Sequence, residues 1–306
     1  MEKQVVSGTV RARSDRDAFA AREWALFAAM GLLWGSSFLF IKIGLEAFHP
    51  GLITWGRVGL GALVLAAFPQ ARRRFDRADR GRVVVLSMVW VAVPFTLFPL
   101  AEQHISSAVT GLLNGAVPLF TGIVGALFFG RRPRGPQRLG IGVGFVGVAL
   151  ISIATSAHEG ASATLGVLLV LAATACYGVS THLAAPILAT YGSVALMSRI
   201  LVLATVWTTP FGLYGATRST LTGTAAVGPA LAVTVLGVFG TGLAFVAMAT
   251  LVGRVGAPRA SFITYLIPVV SLVLGASFLG ERVVALALAG VALVLAGAVL
   301  ASRREA

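Results

Sequence analysis

Three basic residues lie inside long apolar runs, and these residues are the best placed in the sequence to do chemistry. Lys42 and Arg57 belong to LWGSSFLFIKIGLEAFHPGLITWGRV (33–58), and Arg199 lies in a similar run farther along the chain. A charge in such surroundings is costly unless it is paired or faces water. Because Glu46 follows Lys42 by four residues, the two would share a helix face and are predicted to form a local ion pair, with the Lys42 ammonium reaching the membrane interface. A direct contact of Lys42 with the solute is the alternative. For Arg57 and Arg199 two roles stay open: holding the acidic group of a bound solute, or capping the carbonyl end of a broken helix.

A second group of residues is predicted to line a cavity for that solute. Pro118 and Pro268 fall in the middle of apolar runs, where a proline frees a carbonyl and kinks a helix. In lipid such a break is tolerated where a neighbour or a cavity satisfies the backbone. Each residue alone is explained as readily by packing, but we expect the set to include the binding site. Besides the two arginines, the candidates are Trp34, Ser36, Ser37, Trp55, Asn114, Pro118, Tyr177, Thr264, Tyr265 and Pro268.

The carboxylates of these runs occupy different positions from the basic residues. Glu46, Glu102 and Glu281 all fall near the ends of the runs, on the side that the distribution of basic residues predicts to be outside. Since the deeply embedded charges are positive, an anionic or zwitterionic solute is favoured over a cationic one. Glu102 and His104 are the candidates for binding a coupling proton.

Other functional classes lack their signatures. The four histidines have no second His or Cys at a ligand spacing, and no GxSxG, HExxH or phosphate-binding loop occurs, so we expect no enzyme, metal or cofactor site. The single cysteine, Cys176, rules out a disulfide framework within one chain. The net charge of +13 comes from arginine clusters such as RRRFDRADRGR (72–82) between apolar runs, and no nucleic-acid-binding motif accompanies it. Nucleic acid is therefore not expected as a partner.

The composition predicts an all-α integral membrane protein. Of 306 residues, 57% are hydrophobic and only 11% are charged, less than half the charged fraction usual in soluble domains. A helix needs about 20 mostly apolar residues to cross the hydrocarbon layer. Alternation with period two, typical of membrane barrels, is absent. Ten spans are predicted, over residues 24–44, 51–69, 83–102, 106–129, 137–154, 164–184, 193–214, 226–249, 257–279 and 283–301.

The basic residues between the spans predict the orientation. If the N-terminus lies inside, the inner segments hold 19 of the 24 Lys and Arg residues and the outer segments hold two. Basic residues concentrate on the cytoplasmic side of membrane proteins. We therefore expect a multi-pass protein of the cell (plasma or inner) membrane with both termini in the cytoplasm. Residues 1–23 are polar and basic without an apolar core, which predicts a cytoplasmic tail and not a signal peptide.

The sequence also repeats itself at an offset of 150 residues. Pro118 aligns with Pro268, and further glycine, phenylalanine and arginine positions match at the same offset through 108–152 and 258–302. Five predicted helices in each half make the second half enter the membrane from the opposite side. Such inverted repeats are typical of transporters that work by alternating access. The predicted organisation is a first repeat over 24–154 and a second over 163–302.

The motifs in these repeats resemble a known family. LLWGSSFLFIKIGL followed by HPGLITWGRVGLGALVL is similar to the opening of an EamA-type repeat, and PRASFITYLIPVVSLVLGASFLGERV is similar to its closing helices. The whole chain resembles the ten-helix members of the drug/metabolite transporter superfamily. Two departures stand out, because Arg131 stands where Glu281 stands in the second half, and ACYGVS (175–180) stands where WGSS stands in the first.

The resemblance implies a secondary transporter that exports a small metabolite, such as an amino-acid-like anion or zwitterion, with no cofactor. The partners it implies are a small solute, the lipid bilayer and, as one option, a coupling proton. The alternatives are an exporter of amphipathic drugs or toxic compounds, or, from another class, a membrane-embedded enzyme or a lipid-moving protein.

Overall fold

The computed structural model describes residues 21–130 and 133–302, and all regular secondary structure in these ranges is helical. Most of the predicted tail (1–23) and Arg131 lie outside the described residues. The first half of the chain contains α1 (Ala21–Gly35), α2 (Ser37–Gly44), α3 (Pro50–Ala66), α4 (Arg77–Leu86), α5 (Val93–Ala101), α6 (Ser107–Asn114), α7 (Val117–Phe128) and α8 (Gly135–Glu159). The second half contains α9 (Ala163–Tyr191), α10 (Ser193–Thr217), α11 (Val227–Gly237), α12 (Ala244–Val255), α13 (Ala257–Ala260), α14 (Ile263–Leu279) and α15 (Ala285–Ser302).

A helix occupies each of the ten predicted spans, but their lengths differ. Within the described ranges, six continuous or nearly continuous helices are long and apolar enough to cross a membrane, and a seventh is obtained if α6 and α7, bent by 40°, form one span. Three further apolar helices, α3, α14 and α15, are shorter. The structure therefore confirms an all-helical protein with six or seven candidate spans, and the full count of ten stays a prediction.

Several of the long helices are interrupted at local breaks. A π-helical segment, Ser87–Ala92, joins α4 to α5, and a second, Val238–Leu243, joins α11 to α12. The two segments lie 151 residues apart, close to the offset of the sequence repeat. Single π-helical turns often mark functional positions in helices. Each half of the chain therefore contains a π-helical break at a corresponding position.

The two matched prolines are not equivalent in the structure. Pro268 lies inside α14, as expected of a proline within a span. Pro118 is the second residue of α7, where a proline costs little because that N–H has no helical partner. The break in this span falls at Gly115 and Ala116, just before the proline. Pro118 therefore begins a helix and does not kink one.

The turn HPG (49–51) is a helix start. His49 has extended backbone angles, its Nδ1 accepts a hydrogen bond from the Gly51 N–H at 3.1 Å, and Pro50 takes the first helical position of α3. A side-chain acceptor at the N-cap satisfies one of the free N–H groups of the first turn. This local arrangement fixes where α3 begins, and with it the depth of Arg57 two turns later.

Glycine permits the closest helix contacts. A Cβ added to Gly140 of α8 would meet the backbone of α15 at 2.6 Å, and one added to Gly290 of α15 would meet the Gly147 carbonyl at 2.7 Å. Small residues allow such backbone approach where lipid gives no hydrophobic drive to associate. A second close pair forms between α3 and α10. These two pairs join the halves of the chain to each other.

Candidate functional site

Arg57 is buried at a junction of both halves of the chain. Its side chain is 6% exposed, and the guanidinium carbon lies 3.8 Å from the centroid of the Phe95 ring in α5. The Nε atom donates a hydrogen bond of 3.0 Å to the Thr241 hydroxyl, which lies in the second π-helical segment. The Thr241 hydroxyl donates in turn to the Leu236 carbonyl at 3.0 Å. A cation over an aromatic face is favourable, more so when it is desolvated.

The terminal nitrogens of the Arg57 guanidinium find no hydrogen-bond partner among the described residues. Within the described ranges, the hydrogen bond from Nε is the only one that Arg57 makes. Its terminal nitrogens are not fully enclosed and keep a small accessible surface. Within the described ranges no backbone carbonyl accepts from this side chain, so no contact there corresponds to the helix-capping role considered above. A guanidinium with two free terminal N–H edges suits bidentate recognition of a carboxylate or phosphate.

Aromatic side chains surround this junction. Phe98, one turn after Phe95, meets the Tyr177 ring at 6.0 Å. The Trp34 ring meets that of Phe245, one turn after Thr241, at 6.1 Å. Two of the predicted candidates, Trp34 and Tyr177, pack against the cluster of buried side chains that includes Phe95 and Phe245. These rings give the junction apolar walls beside one buried positive charge.

Two smaller candidates lie at the break between α1 and α2. Ser36 is the residue of the break itself, and its hydroxyl donates to the Leu33 carbonyl at 3.3 Å. The Ser37 hydroxyl donates to the same carbonyl at 3.1 Å, and it lies 3.5 Å from where a Cβ on Gly240 would stand. Ser37 thus faces the π-helical segment that carries Thr241.

Arg199 occupies a different environment from Arg57. It is exposed on α10 and lines a groove of about 490 Å³ with Arg74, Arg80 and apolar side chains. Arg57 is the eighth residue of α3 and Arg199 is the seventh of α10, so the two arginines take similar places along their helices but differ in burial. Because Arg199 is exposed, its charge is not desolvated by the protein. It therefore does not need a hydrogen-bond partner such as the Thr241 hydroxyl that accepts from Arg57.

The remaining candidates lie on α3, α6 and α14. The Trp55 indole N–H donates to the Thr209 hydroxyl at 3.2 Å, so this ring faces α10. The Tyr265 hydroxyl donates to the Ala298 carbonyl of α15 at 3.1 Å. Asn114 is 8% exposed at the end of α6, and its enclosed Oδ1 has no hydrogen-bond partner in the part of the chain that the structure describes. Thr264 and Pro268 sit on α14, the first half-buried and the second buried.

Lys42 is not paired with Glu46. Its Nζ donates to the backbone carbonyls of Glu102, at 2.6 Å, and of Ile105, at 3.2 Å, just beyond the C-terminal end of α5. The carbonyls at a helix end carry partial negative charge and lack helical partners. The ammonium therefore satisfies groups that are distant in sequence, and the predicted local ion pair is replaced by a tertiary cap. His104 lies in the same turn and packs beside Gly166 of α9.

Glu281 forms a second tertiary cap beside the first. Its carboxylate accepts from the Ser107 N–H at 2.8 Å, the Ser107 hydroxyl at 2.9 Å and the Ala108 N–H at 2.8 Å. These groups open α6, so a residue after α14 caps a helix of the other half. The two caps border a cavity of about 530 Å³, whose polar lining comprises Lys42, Glu46, Glu102, Gln103 and Glu281.

Sequence reasoning did not single out Phe95, Thr241 or the capping role of Glu281. Thr241 did leave a signal, because it is a polar residue between two glycines in the apolar run VFGTGL. Glu281 left another as the acidic residue of the LGE motif. Phe95 left none, since a phenylalanine in an apolar run is ordinary. Among the described residues, no three His, Cys, Asp or Glu side chains gather where a metal could bind.

Comparisons with known proteins agree with this architecture. The profile of the EamA-like transporter family matches residues 23–153 and again 164–303. The chain is 29% identical over 286 residues to a "probable terminal-alkyne amino-acid exporter" of Streptantibioticus cattleyicolor, covering 92% of this chain and 93% of that protein. It is 27% identical over 276 residues to a "probable amino-acid metabolite efflux pump" of Escherichia coli K12, covering 87% and 90%.

A solved crystal structure shares the fold. It superposes with a TM-score of 0.62 over 92% of this chain and 97% of the other, at 18% identity. Likeness at that level of identity concerns the fold alone. The two family matches cover nearly the whole sequence, and this chain therefore belongs to the EamA-like transporter family.

Proposed function

We propose that this protein is a secondary transporter that exports a small anionic or zwitterionic, amino-acid-like metabolite by alternating access. The observation that carries the proposal is the Arg57 site: a buried guanidinium held through Nε, whose terminal N–H groups have no partner among the described residues. Relatives named as an amino-acid exporter and an amino-acid metabolite efflux pump support the cargo class and the direction.

The chemistry of the Arg57 site favours a carboxylate as the group bound. Two parallel N–H···O bonds to a planar anion are strong and orient it, more so away from water. Phe95 lies against the guanidinium, and the neighbouring aromatic rings provide apolar contact for the rest of a small solute. A lone cation would be repelled by Arg57.

The pattern of helix packing supports an inverted repeat. α3 packs on α10, α8 packs on α15, and α6 packs on α14. Each of these pairs joins equivalent helices of the two halves, as an axis in the membrane plane requires. Contacts between non-equivalent helices also come in matched sets, such as α7 with α9 and α14 with α1. Such symmetry allows the halves to exchange conformations, which is the physical basis of alternating access.

The topology is tested by placing a tag at each terminus. We expect both tags to be protected from an impermeant reagent applied to intact cells and to react after the membrane is opened. A C-terminal tag that reacts from outside would contradict the even number of spans and the inverted repeat.

The cargo is sought by comparing metabolites in the medium of cells with and without the protein. A transporter changes one solute outside the cell, whereas an enzyme changes a substrate and its product together. The identified solute is then measured for uptake into inverted vesicles containing the wild type, Arg57→Gln, Arg57→Lys or Arg199→Gln.

The arginine variants should differ in a defined order. Removing a charge-assisted bidentate contact costs about 3 kcal/mol, which is roughly 100-fold in affinity. We expect that loss in Arg57→Gln and a smaller one in Arg57→Lys, which keeps the charge but loses the planar fork. Arg199→Gln is the matched control, because Arg199 is exposed. Wild-type affinity in Arg57→Gln at equal protein levels would refute the site.

A further inference from the structure

Glu102 is a fully buried acidic residue whose carboxylate receives no hydrogen bond from the described part of the chain. Its exposure is 0%, and neither carboxylate oxygen has a partner within residues 21–130 and 133–302. An ionised carboxylate removed from water with no donor is strongly disfavoured, and burial shifts such a group towards its neutral form. Whether the Glu102 carboxyl is charged or neutral therefore depends on the groups around it.

The two charged side chains nearest to Glu102 along the cavity form hydrogen bonds with other groups. Lys42 directs its ammonium at the main-chain carbonyls of Glu102 and Ile105, and not at the carboxylate. Across the same cavity, the Glu281 carboxylate accepts hydrogen bonds from the backbone N–H groups at the N-terminus of α6. Lys42 and Arg57 favour a charged Glu102 and Glu281 disfavours it, but neither cation donates a hydrogen bond to the Glu102 carboxylate, which is left without a direct partner among the described residues. The other charged or titratable groups near this turn are Glu46, Arg57, His104, Glu159 and Tyr177.

Glu102 also lies in line with the Arg57 site. It keeps helical backbone angles at the end of α5 and follows Phe95 by seven residues. Seven residues are about two turns, which places both on one side of the helix, roughly 10 Å apart along its axis. Arg57 sits over Phe95, so a single helix face connects the cavity beside Lys42 to the buried guanidinium.

We propose that Glu102 is a proton-binding site, neutral while enclosed as in this structure and deprotonated when the cavity opens to water. Proton release and uptake at Glu102 then follow the opening and closing of this end of the protein. The use of that proton in moving cargo rests on the proposed function, whereas the proton site itself does not.

The test is an infrared difference measurement on the purified protein in lipid vesicles, with no cargo present. Between about pH 6 and about pH 9 ordinary surface carboxylates stay ionised, so a protonated carboxyl that titrates there stands out. We expect the wild type to lose a carboxylic-acid carbonyl band as pH rises. Glu102→Gln should lack that band. Glu46→Gln is the matched control, because Glu46 borders the same cavity but is exposed, and it should keep the band.

Two further variants guard the interpretation. If Glu102→Gln does not fold, Glu102→Asp keeps a carboxyl one methylene shorter, and its band should shift in frequency or midpoint. Lys42→Met removes the nearby positive charge and should move the midpoint to higher pH. A wild type without the band, a band retained in Glu102→Gln, or an unchanged band in both Glu102→Asp and Lys42→Met would overturn the proposal. Because no cargo is used, these results are independent of whether Arg57 binds solute.

Discussion

The cap that Glu281 places on α6 makes a quantitative prediction about stability. The perturbation is Glu281→Ala, which removes the acceptor of three hydrogen bonds of 2.8 to 2.9 Å. Two of their donors are backbone N–H groups at the start of a helix, where no helical acceptor exists. Ser107 is fully buried, so water does not readily replace the lost acceptor.

The expected cost follows from these contacts. Loss of a helix cap costs about 0.5–2 kcal/mol, and hydrogen bonds to a charged group contribute roughly 1.5–3 kcal/mol. The two figures describe overlapping interactions and do not add, so we expect about 3 kcal/mol for Glu281→Ala. Glu281→Gln keeps one acceptor oxygen without the charge and should lose about half as much. Arg282→Ala changes the next residue, which is exposed, and should stay within about 0.5 kcal/mol of the wild type.

The free energy of unfolding can be measured by titrating the protein in mixed micelles with a denaturing detergent and following helix content. Ser107→Ala and the double variant complete a mutant cycle, for which we expect a coupling energy of about 1 kcal/mol because the two side chains are in contact. If Glu281→Ala were no less stable than Arg282→Ala, or the cycle gave no coupling, the cap would not hold the two halves together as argued.

Three more substitutions test other contacts. Gly140→Val should destabilise the α8–α15 pair by about 1–3 kcal/mol in the same titration, whereas Gly142→Val, whose added Cβ meets nothing within 4 Å, should be nearly neutral; equal effects would contradict the packing. Lys42→Met should cost about 2 kcal/mol of unfolding free energy by leaving two buried carbonyls without a donor, and wild-type stability would argue against the tertiary cap. Thr241→Val should weaken cargo affinity in the vesicle assay by releasing the Arg57 Nε, with little change in protein level, and an unchanged affinity would show that Thr241 does not position the guanidinium.

The sequence by itself determined the class of the molecule. Low charge and long apolar runs indicate a chain that lies in lipid, which accepts only helices or closed barrels, so the all-helical fold could be predicted without any tertiary contact. The family could also be identified from the sequence, because motifs such as WGSS and LGE are short contiguous stretches that need no tertiary contact to be recognised. The helix start at HPG is local as well, because a cap and a proline act within one turn.

Only the tertiary structure decided which charges matter. Arg57 and Arg199 follow similar local sequences, yet one is buried against Thr241 and Phe95 and the other is exposed, because burial depends on what packs across a helix. Lys42 illustrates the same limit. Spacing along one helix predicted Glu46 as its partner, but the carbonyls beyond the end of α5, 60 residues away, compete successfully because they are enclosed and lack other donors. Helical spacing fixes which residues share a face, whereas the partner of a charged side chain is the group that folding removes from water.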